Sequence, residues 1–385
     1  MTLTSVCHRC SLTARVSETG ASCHRRNWRL GSLMSEAGSD AGMVPDASMQ
    51  DLDVGQLDRW LSKTCPGTRI LTVEKFPGGQ SNPTYELHTT GAPLVLRRKP
   101  FGALLASAHA IEREFRVLRA LNAADYPTPQ VVALCENPRV IGAAFYVMSK
   151  VEGRIFWDVR LPDEDRDARG AIYDAQIRAL ARLHQLGPEQ LGLVDFGRPG
   201  NYFARQVSLW TRQYRLSETT PIEAMDRLAA WLAESVPAER AGRIVHGDFK
   251  LDNLVFHADR PEIAAVLDWE LATIGDPLAD LTYMLMPWVA PPGERNSLWG
   301  VDPAACGLPP PDQVLERYVG LGGPEPAAPL AWYFAFNLFR IAAIVQGVAA
   351  RHVAGNASSP QAAEAGRRVG PLADAGWRQA EAAGA

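Results

Sequence analysis

The stretch that decides the fold is HGDFKLDN (residues 246–253), which VLDWE (residues 266–270) follows. Its informative side chains are Asp248, Asn253 and Asp268, and each is expected to leave an apolar run that is typical of a strand. In phosphoryl transfer, one carboxylate receives the proton of the attacking hydroxyl, while an amide and a second carboxylate hold Mg²⁺. Mg²⁺ prefers such oxygen ligands. The spacing therefore predicts Asp248 as a catalytic base and Asn253 with Asp268 as metal ligands.

The alternative for each of these residues is a structural role, because a lone Asp in a loop commonly caps a helix. Three such residues beside three apolar runs favour one shared site over separate caps. The runs are residues 242–245, 254–256 and 263–267.

HGDFKLDN, VLDWE and the later Gly275-Asp276-Pro277 resemble the aminoglycoside phosphotransferase-like kinase superfamily, which also holds choline kinases. The resemblance runs over about residues 53–359. GGQSNPTY (residues 78–85), VLRRKP (95–100) and FRIA (339–342) are also similar to the kinase-like domain of some acyl-CoA dehydrogenase family members. The resemblance implies an α+β fold of the bilobal protein-kinase-like kind. Its N-lobe is a small antiparallel sheet and its C-lobe is mainly helical.

This fold divides the chain into four parts. Residues 1–48 are expected to be a disordered extension, 49–149 the nucleotide-binding N-lobe, 150–359 the catalytic and acceptor-binding C-lobe, and 360–385 a C-terminal helix or tail. The first 33 residues carry five Arg and one acidic side chain, so an organellar leader is a second interpretation. A zinc site is a third, although its ligands would be poorly spaced.

The composition indicates which classes of partner and which cellular compartment to expect. Lys plus Arg number 39 against 43 Asp plus Glu, a net charge of −4 without a basic stripe, so neither nucleic acid nor a membrane surface is expected as a partner. The six cysteines have no framework spacing, which indicates reduced thiols and a cytoplasmic protein. Residues 331–350 are apolar enough for a membrane span, but Arg340 lies inside them, and we expect a buried C-lobe helix.

The expected nucleotide site begins at a Gly-rich turn between two strands, residues 70–76 and 84–87. Small residues in such a turn let backbone N–H groups approach phosphates, whereas a plain hairpin turn is the simpler interpretation. ATP is the expected nucleotide. The candidate phosphate-binding residues of the turn are Gly78, Gly79, Ser81 and Asn82.

A charged strand follows at residues 94–99. Alternation puts Arg97 and Lys99 on one face and Arg98 on the other. The family has a Lys that reaches the phosphates and pairs with a helix Glu; Arg97 stands at that position, and Glu114 matches the partner. Glu112 is predicted to be an ordinary solvated side chain. A solvated basic edge strand is the alternative for the whole cluster.

The resemblance implies two further contacts. Backbone groups of Ser149 and Val151 would bind adenine at the link between the lobes. Asp280 would hydrogen-bond the catalytic loop, with a helix-dipole role as the alternative.

The acceptor is predicted to be a small molecule. Gly275 follows Asp268 by seven positions, which leaves no room for the activation segment on which a protein substrate docks. The candidate acceptor-binding residues are Trp288 and Arg340, and Arg340 would meet an anionic group. Further candidates for the pocket lining are Trp332, Tyr333, Phe336 and Phe339, although each of these side chains taken alone is more commonly a core residue.

The predicted function is an ATP- and Mg²⁺-dependent phosphotransferase acting on a hydroxyl of a small molecule. By resemblance the acceptor is a hydroxyacyl-CoA or a related acid, with a functional link to an acyl-CoA dehydrogenase. Three alternatives stay open: a non-catalytic nucleotide-binding pseudokinase module, an antibiotic phosphotransferase of the aminoglycoside or macrolide type, and transfer of AMP in place of phosphate.

Overall fold

A five-stranded antiparallel sheet forms the smaller lobe of the computed structural model, which describes residues 52–76, 82–101, 111–198, 200–354 and 362–385. The strands stand in the order β1-β2-β3-β5-β4, and every neighbouring pair is antiparallel. This is the N-lobe predicted from the sequence. The strands are β1 (Ile70–Lys75), β2 (Thr84–Thr89), β3 (Leu94–Arg98), β4 (Val131–Cys135) and β5 (Phe145–Ser149).

Two helices complete the smaller lobe. Helix α1 (Val54–Thr64) begins where the Asp53 side chain accepts a hydrogen bond from the Gln56 N–H at 2.8 Å. Helix α2 (Ile111–Ala123) turns a buried stripe of Ile111, Val117, Leu118 and Leu121 inwards and packs on β4 and β5. Because α2 also packs against residues 269–271, it joins the smaller lobe to the segment of the larger lobe that follows Asp268.

The larger lobe is mainly helical, as predicted. Two short antiparallel pairs lie within it, β6 (Arg243–Val245) with β9 (Thr273–Gly275) and β7 (Leu254–Phe256) with β8 (Ile263–Val266). Its helices are α3 (Arg166–Gln185), α4 (Tyr202–Ser217), α5 (Glu223–Glu234), α6 (Leu278–Met284), α7 (Pro303–Cys306), α8 (Pro311–Gly320), α9 (Leu330–Val353) and α10 (Ala362–Ala382).

Helix α9 is the centre of this lobe. It packs against α4, α5, α6 and α10. By length and composition it is the one described helix that could cross a membrane, but 72% of its most apolar window is buried inside the protein. An apolar surface on all sides is expected of a helix enclosed by others, and the prediction of a buried C-lobe helix is confirmed.

Two sequence predictions need comment. Asn253 ends the 3₁₀ turn Leu251–Asn253 and leads into β7, so the expectation that it leaves a strand is wrong; it precedes one. The predicted extension at residues 1–48 lies outside the described residues.

Candidate functional site

The three predicted catalytic residues meet in one hydrogen-bonded site. The Asn253 Nδ2 donates to the backbone oxygen of Asp248 and to its Oδ2, both at 2.9 Å. The Leu267 N–H donates to the Asn253 backbone oxygen at 2.8 Å, which brings the adjacent Asp268 to the same place. Strand β6 ends shortly before Asp248 and β8 shortly before Asp268, while Asn253 leads into β7.

A buried carboxylate from helix α6 holds the backbone of the catalytic loop. Asp280 is 1% exposed and accepts the N–H of His246 at 2.6 Å and that of Gly247 at 2.8 Å. The contact predicted for Asp280 by resemblance is therefore confirmed. Burial alone would raise the pKa of Asp280, but His184 and these N–H groups outweigh it and lower that pKa.

His184 belongs to the same buried network. Its Nε2 lies 3.4 Å from Asp280 Oδ2, and its Nδ1 lies 2.7 Å from the Tyr318 hydroxyl. A ring with both nitrogens satisfied is a structural histidine, so helices α3 and α8 support the loop through Asp280.

Arg97 pairs with carboxylates from both lobes. Its Nε lies 3.1 Å from Glu114 Oε2, and its Nη2 lies 2.9 Å from Asp268 Oδ1 and from Glu270 Oε2. The predicted pairing of Arg97 with Glu114 is thus present. Glu112, predicted to be an ordinary solvated side chain, is 32% exposed, and its Oε1 lies 2.6 Å from Lys99 Nζ. Alternation of β3 sends both Arg97 and Lys99 towards α2.

Glu114 sits in an unusual environment for a carboxylate. It is 3% exposed, and burial raises the pKa of Glu114 to about 7 although Arg97 acts in the opposite direction. The Tyr146 hydroxyl lies beside it and stays uncharged, because burial raises the pKa of Tyr146 as well. The Arg97–Glu114 pair is therefore sensitive to pH near neutrality.

The predicted metal ligands offer suitable oxygens. Asp268 has φ of 64°, a left-handed conformation that Asp tolerates better than bulkier residues. One of its oxygens meets Arg97, and in the described part of the chain the other has no hydrogen-bond partner. Since the Asn253 amide nitrogen is taken by Asp248, its amide oxygen is left as a ligand. One carboxylate and one amide oxygen fit Mg²⁺, which takes further oxygens from phosphates.

Sequence reasoning missed two neighbours of Asp248. Lys250 Nζ lies 3.1 Å from Asp248 Oδ2 and 3.7 Å from Asp252 Oδ2; burial opposes charge on Lys250, but these carboxylates prevail and raise its pKa. The phenol of Tyr283 lies by the same catalytic carboxylate, and burial followed by that negative charge raises the pKa of Tyr283. Lys250, two positions after Asp248, could have been found from the motif; Tyr283, on α6, carried no such signal.

The acceptor candidates separate into two groups. Arg340 Nη2 donates to the Gly247 backbone oxygen at 2.9 Å and so lies next to the catalytic loop. Trp288 ends the 3₁₀ turn Met286–Trp288 and packs on the core; its role stays a prediction. The remaining aromatics do not line a pocket but are buried in the core, as the alternative interpretation has it: Trp332, Tyr333, Phe336 and Phe339. The first three pack against Phe203.

The nucleotide candidates are only partly described. Gly78, Gly79 and Ser81 lie outside the described residues. Asn82 is 2% exposed, and its Oδ1 has no hydrogen-bond partner in the described part of the chain. The Ser149 N–H donates to the Gln130 oxygen at 2.8 Å, so a base could meet only its carbonyl, while Val151 lies in the half-buried link that follows β5.

A small antiparallel-sheet lobe, a helical lobe and an Asp, Asn and Asp set between them define the class of kinase-like phosphotransferases. The chain belongs to the phosphotransferase enzyme family, whose model matches residues 72–330.

Similar proteins agree with this assignment. The chain is 42% identical over 316 residues to acyl-CoA dehydrogenase family member 10 of Mus musculus, covering 80% of this chain and 29% of that protein. It is 40% identical over 335 residues to family member 11 of Gallus gallus, covering 84% and 43%. The chain thus spans less than half the length of these curated relatives.

Solved structures share the fold. A crystal structure from Ralstonia eutropha, provisionally described as an aminoglycoside phosphotransferase, has a TM-score of 0.80 at 44% identity, covering 87% of this chain and all of that one. A GDP complex of aminoglycoside 2′-phosphotransferase-IIIa has a TM-score of 0.53 at 16% identity, covering 85% and 99%. The second likeness concerns the fold alone.

Proposed function

We propose that this protein transfers the γ-phosphoryl group of ATP to a hydroxyl of a small molecule: ATP + R–OH gives ADP + R–O–phosphate. The observation that carries the proposal is the convergence of Asp248, Asn253 and Asp268 beside the Arg97–Glu114 pair. Positioning and charge neutralisation supply most of the rate in this chemistry, and this cluster offers both.

Asp248 would orient the acceptor hydroxyl and take its proton, a role worth roughly 10²–10⁴-fold. Asn253 supports it, since two hydrogen bonds from its amide fix the backbone and carboxylate of Asp248. The Tyr283 phenol stays protonated and lies on the same carboxylate. Lys250, 3.1 Å from Asp248 Oδ2, adds a positive charge where the transferred group develops negative charge.

Asn253 and Asp268 would hold Mg²⁺, which would neutralise charge on the nucleotide phosphates. Arg97 would hold a phosphate oxygen through its fork of donors. In the described conformation its Nη2 is shared by Asp268 and Glu270. A nucleotide would offer it oxygen atoms in place of those carboxylates.

The acceptor would be a small molecule, because β9 and helix α6 follow Asp268 after a short turn and provide no platform for a peptide. The relatives named as acyl-CoA dehydrogenase family members favour a hydroxylated acyl-CoA or a related acid. The relatives named for aminoglycosides leave an antibiotic acceptor as the second candidate.

The test measures ADP release with ATP and Mg²⁺ over a panel of hydroxyl-bearing metabolites that includes acyl-CoA esters and aminoglycosides. Asp248→Asn should abolish turnover while ATP binding persists, whereas Asp259→Asn, on an exposed loop, should leave both unchanged. Mass spectrometry of the product separates a gain of phosphate from a gain of AMP. Equal turnover by Asp248→Asn would refute the assignment, and ATP binding without any product would favour the pseudokinase.

A further inference from the structure

Arg340 is a buried cation that has no carboxylate partner among the described residues. It is 9% exposed, and its Nη2 donates to the Gly247 oxygen at 2.9 Å. Its Cζ lies 5.4 Å from the centroid of Tyr283 and 5.8 Å from that of Trp210. Within the described residues, neither an Asp nor a Glu lies within ion-pair distance of it.

Such a charge is expensive to bury. A desolvated cation is ordinarily paired with an anion, because its lost hydration is otherwise uncompensated. Arg97, which is 14% exposed, pairs with three carboxylates. The buried Arg98 instead donates to the Lys99 backbone oxygen and the Tyr85 hydroxyl and packs on the rings of Tyr85 and Phe101. One carbonyl and two ring faces meet only part of what the guanidinium of Arg340 can bind, since its five N–H donors suit an oxyanion.

The position of Arg340 relates it to the reacting hydroxyl. The carbonyl that it binds belongs to Gly247, and the next residue is Asp248, whose Cα is about 3.8 Å away along the chain. Tyr283 contacts both groups, since its ring faces Arg340 and its phenol lies beside the Asp248 carboxylate. A molecule whose hydroxyl reaches Asp248 can therefore extend to Arg340.

We propose that Arg340, flanked by Trp210 and Tyr283, binds an oxyanion of the acceptor, a carboxylate or a phosphate carried a few bonds from the hydroxyl that Asp248 activates. This inference rests on the proposed function. It makes the acceptor an acidic alcohol and excludes polycationic acceptors, which Arg340 would repel.

A purely structural Arg340 would hold Gly247 in place and nothing more. Its loss would then lower stability and turnover equally for every acceptor. Binding of an oxyanion differs, because the loss would depend on the charge of the acceptor. The decisive comparison is therefore between acidic alcohols and their neutral counterparts.

The experiment pairs short straight-chain hydroxy acids with their amides, and hydroxyalkyl phosphates with the corresponding diols. Each probe is titrated into the ADP-bound protein, with tryptophan fluorescence as the signal because Trp210 lies by the site. Turnover with ATP is measured in parallel. The variants are Arg340→Gln and Arg340→Lys, with Arg351→Gln as the control, since Arg351 is exposed on the last turn of the same helix.

The wild-type protein and Arg351→Gln should bind acids or phosphates roughly 10- to 100-fold more tightly than the neutral probes, the range for a hydrogen bond to a charged group. Arg340→Gln should abolish this preference, and Arg340→Lys should keep part of it. Preference for carboxylates or for phosphates identifies the oxyanion.

A preference that persists in Arg340→Gln would overturn the inference, as would failure of every acidic probe to bind. Acidic probes that bind through Arg340 but are never phosphorylated would leave the oxyanion site standing and refute the proposed function instead. Equal turnover of acidic and neutral acceptors would refute the oxyanion site and leave the proposed function standing.

Discussion

Replacing Asp280 tests how the catalytic loop is held. Its carboxylate accepts two backbone N–H groups, from His246 and Gly247. A hydrogen bond to a charged group contributes about 1.5–3 kcal/mol, so Asp280→Ala should lower the free energy of unfolding by about 3–6 kcal/mol. Domains are stable by only about 5–15 kcal/mol, and this variant is close to the limit of folding.

Asp280→Asn is the milder and more informative change. Its single oxygen can still accept one N–H, while its amide group faces the other, so about half of the loss is expected, roughly 1.5–3 kcal/mol. Asp374→Asn, on the exposed face of α10, is the control and should stay within about 0.5 kcal/mol of the wild type.

Urea unfolding gives the free energies, and steady-state kinetics should show a lower kcat for Asp280→Asn because the Asp248 backbone is no longer fixed. The reasoning would be refuted if Asp280→Asn and Asp374→Asn unfolded at the same urea concentration.

The pKa of Asp280 is lowered from 3.8, so as the pH falls the unfolded chain takes up this proton before the folded protein does. Its stabilisation is therefore present above pH 3.8 and disappears below it, and Asp280→Asn should flatten that acid loss.

Three further predictions concern other parts of the chain. Because the pKa of Glu114 is raised from 4.5 to about 7, the folded state binds its proton more tightly and stability should fall as pH rises across that interval; unfolding of Glu114→Gln across it should show a smaller fall. Phe203→Ala should cost about 3–5 kcal/mol in urea unfolding, because four aromatic rings pack around Phe203; a loss below about 1 kcal/mol would contradict this. A Cβ on Gly153 would strike the Phe256 backbone oxygen, so Gly153→Ala should lower the free energy of unfolding by about 1–3 kcal/mol, whereas Gly170→Ala, with open space around it, should not.

Local patterns predicted the site where the chemistry depends on a few neighbouring positions. Alternation along β3 placed Arg97 and Arg98 on opposite faces, and the structure pairs Arg97 with Glu114 and packs Arg98 against Tyr85 and Phe101. The side-chain period of a strand fixes such faces directly. The catalytic set was found because its residues belong to two short motifs.

Contacts between distant segments were harder to predict. Tyr283 reaches Asp248 only because β6, β9 and α6 fold together, and nothing in its own surroundings marks it. The sequence does not show how many helices surround the aromatics of α9, so it leaves both core and pocket lining open for them. Arg340 sits on that same helix, yet it faces the catalytic loop.

Arg97 also joins the two lobes electrostatically. It belongs to β3 of the smaller lobe, while Asp268 and Glu270 belong to the larger one. Salt screens these ion pairs weakly, because the Arg97 side chain is only 14% exposed. Opening the cleft without nucleotide would separate these charges, so nucleotide exchange should proceed by competition for the guanidinium, and its rate should respond little to ionic strength.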